Sequence, residues 1–83
     1  MDRSSIEKEL NVFLENNILA EDVVITSESE FKEMGVDSYS IVEVVLFIER
    51  KFGIIIPDIE LTPENFENVS SIAKVVQAEL AKF

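Results

Sequence analysis

Between Gly35 and Gly53, the only two glycines of the sequence, lies a stretch whose apolar residues leave little choice of secondary structure. From Ser38 to Phe52 they recur at helical spacing, although Val, Ile and Phe are not strong helix formers, and Gly53 supplies the C-terminal stop. At about 100° per residue two apolar faces separate on this helix. Ile41, Val44, Val45, Ile48 and Phe52 form the stripe that a core-facing helix needs, while Tyr39, Val42 and Leu46 lie on the other side among Glu43 and Arg50. A helix buried all round would hide both faces. A chain of 83 residues, however, is one small domain (residues 1–83) that buries roughly 60–65 % of its unfolded surface. Only a thin bundle is available, so the second strip is expected at the surface as a docking face for another protein.

The flanking segments are read in the same way. Ser4-Ser5-Ile6-Glu7 has the form of a capping box, with Ile6, Leu10, Phe13 and Leu14 following at helical spacing and Asn16-Asn17 as the stop. Ile18 to Asp37 reads as a long loop pinned by Ile18, Leu19, Val24, Ile25 and Phe31, with Ser27-Glu28-Ser29-Glu30 able to cap one short turn through Phe31 and Met34. After Gly53, Ile54-Ile55-Ile56-Pro57 has no strand to pair with and reads as an extended connector that drops apolar side chains into the core. Thr62-Pro63-Glu64 starts a short helix anchored by Phe66, and Ser70 or Ser71 caps a last helix striped by Ile72, Val75, Val76 and Leu80. The expected fold is all-α: three main helices and one short one, with a long loop between the first two.

Charge and missing residue types then exclude whole classes of function. Seventeen acids against seven bases give a formal charge of -10, which disfavours nucleic acid and anionic membrane and favours partners with basic patches. With 47 % hydrophobic residues the acidity coats a folded domain. The absence of Cys and His removes thiolate metal sites, thiol nucleophiles and an imidazole base. Glu60, Glu64 and Glu67 suggest no acid–base pair, and no calcium-loop pattern exists. Unbroken apolar runs reach only about five residues, against the roughly twenty of a membrane span. With no leader pattern at the start, the protein is expected to be cytoplasmic, monomeric and not an enzyme.

Asp37-Ser38 opens the central helix. Asp37 serves as N-cap in the plainest reading, but Ser38 in the first turn also presents a hydroxyl beside free backbone N–H groups, where a phosphate ester is electrostatically favoured. Nothing in the chain activates that hydroxyl, so any modification needs a base and a donor from another enzyme.

The run Gly35-Val36-Asp37-Ser38, followed by Ile41, Val42-Glu43 and Phe52-Gly53, resembles the acyl carrier protein family. So do Ile54-Ile55-Ile56-Pro57-Asp58, Thr62-Pro63-Glu64-Asn65-Phe66 and Val69-Ser70-Ser71-Ile72, and the likeness covers about residues 3–82. The resemblance implies 4'-phosphopantetheine on Ser38, transferred from coenzyme A by a phosphopantetheinyl transferase, with Asp37 orienting the site. It further implies acyl cargo held as a thioester for loading and processing enzymes, which would contact Tyr39, Val42, Glu43 and Leu46. A core lined by Ile41, Val45, Ile48, Ile56, Phe66 and Val76 would shelter the cargo. The pathway expected is fatty-acid, polyketide or a related specialised lipid synthesis, and two departures, Tyr39 where the family usually has Leu and the positive pair Arg50-Lys51, favour a specialised assembly of polyketide-type, aminoacyl or lipid-modifying kind over general fatty-acid synthesis. The alternatives are an aminoacyl or peptidyl carrier of the same fold and an unmodified acidic helical adaptor.

Overall fold

Three capped helices carry the core of the computed structural model, which describes residues 2–19 and 25–82. They are α1 (Arg3–Asn17), α2 (Ser38–Phe52) and α3 (Val69–Leu80), with single 3₁₀ turns at Phe31–Met34 and Asp58–Glu60 and no strand among the described residues. This is the all-α arrangement that the periodicity predicts. Val24, expected to pin the first loop, lies outside the described residues.

Ile6, Leu10 and Leu14 of α1 face Val69, Ile72, Ala73, Val75 and Val76 of α3, and α1 packs chiefly on α3. From α2, Val44 and Ile48 are fully buried, whereas Ile41, Val45 and Phe52 lie at the edge of the core. The lighter α1–α2 contact is aromatic: Phe13 stacks on Phe47 with ring centroids 4.2 Å apart, and within α2 Phe52 meets Phe47 edge-on at 6.5 Å. Connecting segments complete the core with Ile25, Phe31, Val36, Ile54, Ile56 and Phe66. In the Ile54–Ile56 connector the side chains alternate, two buried and Ile55 77 % exposed, as an extended backbone requires. The Ile56 N–H finds an acceptor in the Glu49 carboxylate at 3.2 Å, so this connector needs no partner strand there.

The starts of α1 and α3 differ from the expected ones in a consistent way. α1 begins before the proposed capping box: Asp2 is the N-cap and accepts from Ser5 N–H at 2.8 Å, which leaves Ser4 inside the helix. Glu7, free of the box, accepts from Ser27 Oγ at 3.0 Å and ties the loop to α1. α3 likewise starts at Asn68, whose side chain accepts from Ser71 N–H at 2.8 Å, and not at Ser70 or Ser71. In both cases an Asp or Asn just upstream takes the cap, its side-chain oxygen accepting from the third N–H of the helix, and the serines fall within the first turn. The short helix expected at Thr62 is a single turn. Thr62 caps Asn65 N–H at 3.2 Å as expected, but Asn65 Nδ2 turns back to the Glu60 carbonyl at 2.9 Å, and the Glu67 carbonyl is taken by Phe31 N–H. Chain that is committed to two outside partners does not propagate a helix. The short turn expected through Phe31 and Met34 forms as the 3₁₀ turn Phe31–Met34, but Glu30 at its N-cap position makes no side-chain cap hydrogen bond.

Replacing fully buried Ile72 with Ala should destabilise the fold by about 2–5 kcal/mol, while Ile55→Ala should stay within about 0.5 kcal/mol, both read from urea unfolding midpoints. The Asp2 and Asp37 carboxylates are held below the ordinary carboxylate range by hydrogen bonds from Ser5 and Ser40, so each contributes stability above about pH 4 that is lost as pH falls through its lowered folded value. Unfolding midpoints at pH 7 and pH 3 should therefore differ more for the unchanged chain than for the Asp2→Asn, Asp37→Asn double variant.

Candidate functional site

The site is assembled where the first loop turns into α2. Phe31 and Val36 are buried, their backbones joined by a Val36 N–H to Phe31 carbonyl bond of 3.0 Å, and Phe31 N–H is fastened to the Glu67 carbonyl at 2.9 Å. Gly35 turns the chain between them at φ 78°, a left-handed conformation that other residues rarely adopt. Asp37 then caps α2 by accepting from Ser40 N–H at 2.9 Å, and Ser38 becomes the first helical residue. The hydrogen bonds from Ser40 hold the Asp37 carboxyl below the ordinary carboxylate range. Ser38 is exposed, and among the described residues its hydroxyl has no hydrogen-bond partner. With no basic side chain bonded to it, this hydroxyl is presented but not activated.

Two clefts open beside Ser38 and share it, together with Ile41, Pro63 and Phe66, as lining. One, of about 370 Å³, runs toward the first loop and is rimmed by Lys32, Asp37, Glu64 and Glu67. The other, of about 450 Å³, runs along α2 and is walled by Val42, Val45, Leu46 and Leu61. Of the residues expected to shelter a cargo, Ile41, Val45 and Phe66 line these clefts, whereas Ile48, Ile56 and Val76 lie in the closed core. Leu61 and Pro63 were not legible as site residues; the Thr-Pro-Glu signal marked a turn, and only the folded chain brings that turn against α2.

The second apolar strip of α2 stands at the surface as expected: Tyr39 is 76 % exposed, Val42 56 % and Leu46 46 %. Glu43 is exposed too, but borders a separate groove between α1 and α2. Tyr39, Val42 and Leu46 are thus beside the Ser38 clefts or at the same helix start, and Glu43 looks toward the neighbouring groove. An uncovered hydroxyl at a helix N-terminus, at the meeting of two open clefts, fits the attachment of a phosphopantetheine arm.

Comparison with known proteins gives a consistent result. A family model described as the phosphopantetheine attachment site matches residues 14–78. The chain is 36 % identical over 78 residues to aminoacyl carrier protein 1 of Bradyrhizobium diazoefficiens, covering 94 % of this chain and 84 % of that protein. It is 39 % identical over 56 residues to an acyl carrier protein of Helicobacter pylori, covering 66 % and 69 %. Among solved structures, a Bradyrhizobium japonicum glycine:[carrier protein] ligase complexed with glycylated carrier protein contains a chain that superposes with a TM-score of 0.70 at 33 % identity, covering 88 % of this chain and 96 % of that one. The corresponding complex with cognate carrier protein and an analogue of glycyl adenylate gives a TM-score of 0.72. The chain therefore belongs to the phosphopantetheine-binding carrier proteins, which hold their cargo on a 4'-phosphopantetheine group for partner enzymes and are not themselves catalysts.

Proposed function

We propose that this protein is an aminoacyl carrier whose prosthetic group is attached to Ser38. The observation that carries the reading is the exposed Ser38 hydroxyl at the start of α2, in a chain similar over nearly its whole length to an aminoacyl carrier protein. A second protein named as an aminoacyl carrier, 34 % identical over 81 % of this chain, and the two carrier–ligase complexes support the same cargo class. When bound, phosphopantetheine supplies the reactive thiol on which a carboxylic cargo is held as a thioester. Ser38 supplies the oxygen of the phosphodiester: its Oγ–P bond replaces the pyrophosphate P–O bond of coenzyme A, adenosine 3',5'-bisphosphate leaves, and the hydroxyl proton goes to a base on a separate transferase, since the chain has neither His nor Cys. Asp37, held as the cap by Ser40, fixes the start of α2 and so the direction in which Ser38 points. Charge steers the encounters, with a net -10 drawing basic partner surfaces, and Tyr39, Val42 and Leu46 then set the register.

A second reading, a carrier of aliphatic acyl groups, is favoured by one feature. The cleft beside Ser38 that is walled by Val42, Val45, Leu46, Leu61 and Phe66 is strongly apolar, which suits a hydrocarbon chain better than glycine.

Incubation with coenzyme A, magnesium and a broad-specificity phosphopantetheinyl transferase should add one phosphopantetheine by intact mass, and Ser38→Ala should add none; a gain retained in that variant would refute Ser38. The pantetheinylated protein should then accept glycine or another small amino acid from ATP and a glycine:[carrier protein] ligase. Failure there, with efficient loading by a fatty acyl–carrier ligase instead, would replace the aminoacyl reading with the acyl one.

A further inference from the structure

On the side of α2 turned toward α1 lies a groove that the attachment site does not use. It holds about 430 Å³ and is lined by Phe13 and Asn17 of α1 and by Glu43, Leu46, Phe47, Arg50 and Lys51 of α2. Its aromatic part is the stacked Phe13–Phe47 pair, braced by the edge of Phe52, so that wall is preformed rather than assembled on binding. The two cations at its rim differ in kind. Lys51 is compensated by Glu9, Nζ to Oε2 3.0 Å, whereas Arg50 is exposed and has no ion pair among the described residues. An uncompensated guanidinium is unexpected in a chain of net charge -10, with seventeen acids against seven bases. It also presents a planar fork of donors suited to a carboxylate.

Leu46 lines both this groove and the apolar cleft beside Ser38, so the two form one continuous surface along α2. Arg50 stands twelve residues beyond Ser38, about 18 Å along the helix axis, far enough for a partner to rest here without covering the attachment hydroxyl.

We infer that the α1–α2 groove is a second docking point for a partner enzyme, which seats a carboxylate on Arg50 with an adjacent aliphatic or aromatic side chain against Phe13, Leu46 and Phe47. The inference rests on the carrier reading only in that carriers have enzyme partners. Its consequence is a mixed-charge code. A partner that offers only basic residues meets favourable charge at Glu43 and repulsion at Arg50, so the groove selects among enzymes that net charge alone would attract equally.

The test is a titration of the ¹⁵N-labelled protein with two blocked helical peptides, identical except for Glu or Lys beside a Leu-Phe pair. The Glu peptide should give saturable shifts at Phe13, Leu46, Phe47 and the Arg50 side chain, and Arg50→Glu should weaken it about tenfold or more while favouring the Lys peptide. The inference is overturned by the absence of saturable shifts, by equal binding of the two peptides, or by a folded Arg50→Glu variant that keeps its preference for Glu. Shifts at the same residues that grow with protein concentration and no peptide would assign the groove to a second copy and overturn it equally. Failure of the carrier reading is detected separately, as absence of the phosphopantetheine mass gain on the unsubstituted chain.

Discussion

The 2.9 Å hydrogen bond from Phe31 N–H to the Glu67 carbonyl joins two connecting segments that lie far apart in sequence, and the position of α2 depends on it. It closes a buried arrangement in which Phe31, Val36 and Phe66 fill the space between the first loop and the turn before α3. A second crosslink, Ser70 N–H to the Ser27 carbonyl at 3.0 Å, and the Ser27 hydroxyl on Glu7 extend the same tie to α1 and α3. Six residues after Phe31, Asp37 caps the helix. The exposed serine is thus held by backbone that is itself fixed at both ends, so its place at the start of α2 is set by the fold.

α2 resolves a conflict common to small domains. It has too much apolar surface for one core, and the fold divides that surface in two instead of covering it: Val44 and Ile48 are sealed, while Tyr39, Val42 and Leu46 stay in water. Leaving them exposed forgoes the stability that burying them would add. The clefts on either side of Pro63 and Phe66 add a choice of environment beside Ser38, one charged at its rim and one apolar.

Much of this was legible in the chain. α2 begins at Ser38 and ends at Phe52 as the pattern predicts, because Asp37 and Gly53 bound it with unambiguous capping chemistry. The surface strip was legible too, since helical periodicity separates faces without reference to anything outside the helix. The starts of α1 and α3 were not, because Ser, Asp and Asn within a few residues of one another are all competent caps and the winner is set by where the helix must begin to align its apolar stripe. The turn at Thr62 failed as a helix for a related reason: Asn65 and Glu67 are drawn to Glu60 and Phe31, partners that only the folded chain supplies.

The sequence by itself determined the helical class, the boundaries of α2, the two-faced character of that helix and the place of Ser38 at its start, all of which depend on spacing and capping among near neighbours. Tertiary structure alone decided that Leu61, Pro63 and Phe66 border the serine, that Ile48, Ile56 and Val76 close the core and are not part of its clefts, and that Phe13 meets Phe47 to build a groove beside Arg50. Those juxtapositions join segments distant along the chain, and their geometry follows from how the buried side chains fill the space between three helices, which no local pattern encodes.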